Sequence, residues 1–192
     1  MEMTSTRTVP APIAMVWAAL NDPAMLTACI PGCDTLEPDG ENAYRIALSA
    51  RVGPVAAKFT GRMQLTDIDP PHGYMLSFEG QGGAAGFAKG EAKVSLAPGE
   101  NATVTTLSYT VKAQVGGKIA QIGSRLIDGA AQKLADEFFG SFSDAVAAKT
   151  VAVPIATVAR AAPVTRHWQR YVAIAIIVVL LLVVYGVKRA AQ

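Results

Sequence analysis

With 192 residues, 51% of them hydrophobic and 17% charged, the chain is long enough for one domain with a real core and little else. The net charge of +2 hides an asymmetry: all 15 acidic residues precede position 150 along with 12 of the 17 basic ones, so that part carries −3 and the remainder +5. An acidic domain offers nothing to a nucleic acid backbone, and two cysteines with two distant histidines do not make a four-ligand zinc site.

Residues 3–9 read as a first strand. A helix opens at Pro12, carries Ile13, Val16, Trp17 and Leu20 on one face, and is closed by Asn21-Asp22-Pro23. A second short helix is expected over residues 24–28. Cys29 and Cys33 then flank an Ile-Pro-Gly turn and read as free thiols of a reducing compartment. From there to Gln114 the pattern has period two. Tyr44, Ile46, Leu48, Ala50 and Val52 alternate with polar residues, and so do Ala57, Phe59, Gly61, Met63 and Leu65. Further strands are expected over residues 74–80, 87–96 and 103–113. The turns are Val52-Gly53-Pro54, Pro70-Pro71-His72-Gly73 and Pro98-Gly99-Glu100-Asn101. Near Lys118 the period changes: Ile119, Ile122, Leu126, Ala130, Leu134 and Phe138 recur three or four apart, which predicts an amphipathic helix to about Lys149. The fold class is therefore α+β, one curved antiparallel sheet wrapping one long C-terminal helix.

The inward face mixes bulky residues (Phe59, Met63, Leu76, Phe78, Tyr109) with very small ones (Ala50, Ala57, Gly61, Gly80, Gly90, Ala92), and the facing helix adds Gly123, Ala130 and Ala131. Such residues either let helix and sheet approach closely or leave an apolar cavity. Spacing leaves both open. The expected cavity lining is Phe59, Gly61, Met63, Leu76, Phe78, Gly80, Phe87, Gly90, Ala92, Tyr109, Leu126, Ala130 and Leu134. If the space is open, Gly90→Leu fills it with little loss of stability; if packed, it overpacks. The stretch from Gly80 to Gly86 is rich in glycine, but it joins two strands and opens no helix, so it is no dinucleotide fingerprint. It reads as a flexible hairpin at a pocket mouth. Gly82, Gly83 and Gly86 with Lys89, Lys118 and Arg125 form the expected mouth or docking surface, although each of the three charges also suits a plain solvated position. No nucleophile is paired with a histidine, so no catalytic residue is expected, and no metal ligand either. Asp67 falls inward by strict alternation but stands at a strand end near Pro70, where exposure is expected.

Residues 150–167, mostly Ala, Val, Thr and Pro, read as a linker, and residues 168–189 as a transmembrane anchor. The run 171–187 is uncharged and contains twelve Val, Ile or Leu residues. As a helix it covers about 26 Å, short of a roughly 30 Å hydrocarbon core, a gap that its basic flanks close by snorkelling. Trp168, Tyr171 and Tyr185 suit the two interfaces. The N-terminal residues lack a basic start followed by an apolar stretch, so residues 1–149 are expected in the cytoplasm, held at the inner membrane by one C-terminal pass.

The order strand, two short helices, antiparallel strands and long helix resembles the helix-grip fold of the START and Bet v 1 superfamily. More narrowly, Cys29-Ile-Pro-Gly-Cys33, Val52-Gly-Pro-Val-Ala-Ala-Lys-Phe59, Gly82-Gly-Ala-Ala-Gly-Phe-Ala-Lys-Gly90 and Val115-Gly-Gly-Lys-Ile-Ala-Gln-Ile-Gly-Ser-Arg-Leu-Ile127 resemble the CoxG subunit family of carbon monoxide dehydrogenase. That resemblance covers about residues 3–149. It implies a non-catalytic accessory protein that brings a molybdenum-containing dehydrogenase or related hydroxylase to the membrane and binds a membrane lipid or a respiratory quinone, menaquinone or ubiquinone. A purely structural anchor with a filled core is the alternative, and an enzyme on the same fold, such as a cyclase or hydrolase, is a third reading.

Overall fold

The computed structural model describes residues 2–52, 55–121 and 123–151. Strand β1 (Glu2–Val9) leads into helices α1 (Ile13–Leu20) and α2 (Pro23–Cys29). Six strands follow: β2 (Cys33–Pro38), β3 (Ala43–Val52), β4 (Val55–Asp69), β5 (Gly73–Gln81), β6 (Phe87–Pro98) and β7 (Thr105–Gly116). Helix α3 (Ser124–Val151) closes the order. All seven strands form one antiparallel sheet, β1-β7-β6-β5-β4-β3-β2. Strands consecutive in the chain from β2 to β7 are neighbours in the sheet, and only β1 pairs with a strand distant in sequence. This is the helix-grip arrangement.

Period two holds across the sheet. Tyr44, Ile46, Leu48, Phe59, Met63, Leu65, Leu76, Phe78, Val94, Leu107, Tyr109 and Val111 are all buried on one face, while their neighbours along each strand point to the other. Asp67 is exposed as expected. It adopts φ 48° where the register of β4 against β5 slips, which turns it off the inward face.

Three expectations need correction. First, β2 carries no alternation: Leu36 is its one buried residue, and Asp34, Glu37 and Pro38 are poor strand formers. It pairs only with β3 at the sheet edge, where Pro38 has no second ladder to break. Second, the long helix begins at Ser124 rather than Lys118, because Gly123 takes φ +95° and Ile119 is buried in a separate 3-10 turn (Ile119–Gln121). Third, the buried stripe of α3 is Ile127, Ala131, Ala135, Phe138, Phe142 and Val146. Leu126 stands 60% exposed. Twelve residues of helix separate it from Phe138, a rotation of about 120° from that face, whereas Ile127 at eleven residues is only about 20° off. Ile122, the Gly53-Pro54 turn and the anchor at 168–189 lie outside the described residues; so does the linker, apart from Thr150 and Val151, which continue α3.

Asp22 ties the far end of α3 to the helical pair. Its carboxylate caps α2 by accepting from the backbone N–H of Ala24 and Met25 at 3.0 and 3.3 Å, and it meets Lys149 Nζ at 3.1 Å. Burial opposes its ionisation, but Lys149 and the two N–H groups outweigh that and hold its pKa below the usual carboxylate value. A depressed carboxyl stabilises the fold above its unfolded pKa, and that contribution is lost as pH falls through the folded pKa. Asp22→Ala is expected to cost about 1 to 2 kcal/mol at pH 7, lowering the melting temperature by a few degrees. Melts repeated at falling pH should show the gap to wild type narrowing below about pH 4; a gap constant down to pH 3 would place the effect elsewhere.

Candidate functional site

Cross-strand register sorts the inward residues into rows. Met63, Phe78, Gly90 and Ala113 form one, Ile46, Gly61, Gly80 and Ala88 the next, and Leu65, Leu76, Ala92 and Val111 a third. The sheet thus brings Phe59, Gly61, Met63, Leu76, Phe78, Gly80, Gly90, Ala92 and Tyr109 onto one face. Ala130 and Leu134 on α3 are half-buried above it. Leu126 is excluded by its register. Phe87 is excluded by its own alternation with Ala88: it is 47% exposed, on the outward face of β6. Gly90 is not open space, since a Cβ there would run into the Lys112 carbonyl oxygen and the Phe78 ring and stand 2.9 Å from Ala113 Cα. The roof is aromatic: Phe138 stacks on Phe142 with centroids 5.6 Å apart and meets Phe139 edge-on at 5.2 Å.

Polar groups on this face are few and unusually placed. Arg7 follows Met3 and Ser5 on the inward side of β1, a charge whose position strict alternation would have flagged. Its guanidinium pairs with Asp136 of α3 and lies over the Phe139 ring at 5.4 Å. Tyr109 stacks on that same ring, with centroids 5.4 Å apart. Among the described residues, the buried side-chain atoms without a hydrogen bond are Arg7 Nε, Tyr109 Oη and Tyr74 Oη. Tyr74 stands in the row Tyr74, Val94, Tyr109, edge-on to Trp17, and full burial pushes its phenol pKa well up. Nothing in the sequence singles it out, because an inward tyrosine reads as core whether or not its hydroxyl finds a partner.

The glycine-rich stretch is not a loose hairpin. It makes one 3-10 turn (Gly83–Ala85) with Ala85 buried, and Gly86, at φ +121°, lies so close to Gly116 and Gly117 that neither side admits a Cβ. This packing joins the β5–β6 turn to the segment leading into α3. Gly82, Gly83, Gly86, Lys118 and Arg125 therefore gather at one end of the sheet, together with the exposed Phe87, whose ring covers Gly116. Lys89 belongs elsewhere, on the outward face of β6. There it lines a shallow depression of about 920 Å³ with Arg62, Glu79, Glu91 and Lys112. Those alternating charges suit water or a polar surface, not an apolar molecule.

Cys29 and Cys33 are free, and burial raises both thiol pKa values, with Asp34 adding to the shift at Cys33. Both are therefore thiols at neutral pH. Among the described residues, no group of three or more His, Cys, Asp or Glu is placed to hold a metal ion, and no helix is long and apolar enough to cross a membrane.

The family model for the CoxG subunit of carbon monoxide dehydrogenase matches residues 6–147. No curated protein matches the sequence significantly. Among solved structures, a conserved protein from Geobacillus kaustophilus is 36% identical with a TM-score of 0.74, over 78% of this chain and 97% of that one. The Zhui aromatase/cyclase from Streptomyces sp. R1128 is 17% identical with a TM-score of 0.57, over 79% and 96%. TTHA0849 from Thermus thermophilus is 17% identical with a TM-score of 0.55, over 78% and 99%. At such identity the last two share the fold alone.

Proposed function

Because the chain belongs to the CoxG subunit family of carbon monoxide dehydrogenase, we propose that it is a non-catalytic accessory protein that holds a molybdenum-containing dehydrogenase at the inner membrane and carries an apolar ligand, a respiratory quinone, between that enzyme and the bilayer. The observation that carries this reading is the pairing of two apolar elements in one chain: an inward face drawn from seven strands under α3, and the uncharged run 171–187. The domain sits on the cytoplasmic side. Were the roughly sixteen residues before the apolar run to act as a flexible linker, their span of roughly 20 to 25 Å would keep the domain beside the bilayer while it meets a soluble partner. Docking uses the end of the sheet where the packed glycine turn, the exposed Phe87 and Leu126 and the basic Lys118 and Arg125 lie, since exposed apolar side chains rimmed by charge suit a protein surface.

A second reading, a structural anchor with a filled core, is favoured by the Phe78 ring over Gly90 and by the stacked Phe138 and Phe142. Organic extraction of full-length protein purified from membranes separates the two. A carrier yields about one quinone or lipid per chain above the detergent blank; an anchor yields none.

A further inference from the structure

Two of the unpartnered buried atoms stand together. The Arg7 guanidinium and the Tyr109 ring both lie against Phe139, each 5.4 Å from its centroid. Asp136 takes one terminal nitrogen of Arg7, and Gln132 Nε2 donates to the same carboxylate oxygen at 3.1 Å. Left over are the Nε–H of Arg7 and the hydroxyl of Tyr109, a residue only 1% exposed. Burial works to lower the guanidinium pKa, but Asp136 and the nearby Tyr109 hydroxyl outweigh it and raise the value. Near enough to help raise that pKa, the hydroxyl still makes no hydrogen bond of ordinary geometry with the guanidinium. Two donors thus meet at the seam between the edge strand β1 and α3, where interior meets surface. Buried donors rarely go unpaired, and an incoming acceptor relieves both at once.

We propose that Arg7 Nε and Tyr109 Oη form a two-donor recess at the β1–α3 seam that takes the carbonyl oxygen of an apolar ligand. The proposal rests on the carrier reading and gives its ligand a polar end. Asp136 already neutralises the Arg7 charge, and its carboxylate repels a second anion, so the recess selects an uncharged acceptor such as a ketone or quinone carbonyl over a carboxylate or phosphate. The aromatic rings of Tyr109, Phe138 and Phe139 around the two donors make their surroundings apolar.

The test uses full-length protein in lipid nanodiscs, with empty nanodiscs as the partition blank, and two probes of nearly equal shape: 2,3-dimethyl-1,4-naphthoquinone and 2,3-dimethylnaphthalene. Wild type should bind the quinone at least about tenfold more tightly than the hydrocarbon in equilibrium dialysis. Tyr109→Phe, and Arg7→Lys, which keeps a charge for Asp136 but has no Nε–H, should each weaken the quinone by about tenfold and leave the hydrocarbon unchanged. Without ligand, Tyr109→Phe should melt at the same temperature as wild type or higher. Equal binding of both probes, unaffected by either substitution, would overturn the recess and leave the carrier reading standing. Binding of neither probe would remove both. A ligand-free melt lowered by several degrees in Tyr109→Phe would show the hydroxyl already bonded in the free protein and would also overturn the recess.

Discussion

Gly90→Leu is expected to lower the melting temperature by roughly 6 to 12 °C, the equivalent of about 3 kcal/mol in a domain of this size. Overpacking a closed core costs about 1 to 3 kcal/mol and sometimes more, and this position belongs at the upper end. The first atom of the new side chain meets the Lys112 carbonyl oxygen, which belongs to the β7 backbone and cannot swing aside, as well as the Phe78 ring, which can. Gly90→Ala introduces the same first atom and should already produce most of the loss. Thermal melts of both variants decide it. A leucine accepted with no change in melting temperature would mean that Phe78 lies away from Gly90 and that the space between sheet and helix is open there, the outcome expected of a cavity reading of the small inward residues.

Ending the chain at Val151 is expected to move the protein entirely from membranes to the soluble fraction while the helix-grip domain stays folded. The twelve Val, Ile and Leu residues of the run 171–187 contribute about 4 to 7 kcal/mol of insertion free energy if all are counted as central, roughly a thousandfold or more in partition. The five basic residues beyond Val151 add attraction to anionic headgroups of about 1 kcal/mol each near the surface, but that part is screened by salt. Full-length protein should therefore resist a high-salt wash. Its release by salt alone would mean that it lies on the bilayer electrostatically instead of spanning it. If the chain recruits the dehydrogenase as proposed, dehydrogenase content of the membranes should fall with the truncation, because that reading needs the domain and the anchor in one chain.

Most of the sheet is legible in the sequence because burial on one face writes itself as alternation: β3, β4, β5, β6 and β7 all turn apolar side chains or glycine inward at every second position. β2 is not legible, since an edge strand with one buried residue, Leu36, leaves no period to read. Helix α3 is evident from its period, but the periodic series sets it about one residue out of register. Leu126, Ala130, Leu134 and Phe138 step by four throughout, whereas a straight face drifts unless steps of three intervene. The size of Phe87 argues for the interior against the alternation that places it outside. Of the seam, only Tyr109 stands out in the sequence. Arg7 carries an inward charge, but it takes the position of Asp136 and Phe139, on a helix far along the chain from β1, to turn that charge into a recess. The family is legible for a different reason: several of its motif glycines are packing requirements, with Gly86 meeting Gly116 and Gly117 backbone to backbone, where a side chain has no room.

The most direct measurement is the rate of quinone reduction by the dehydrogenase that co-purifies with the full-length chain, in vesicles containing menaquinone or ubiquinone. With full-length protein in the vesicle the rate should rise well above that of the dehydrogenase alone, and with the chain ending at Val151 it should return to that background. An identical rate with full-length protein, with the truncated chain and with neither would contradict the account.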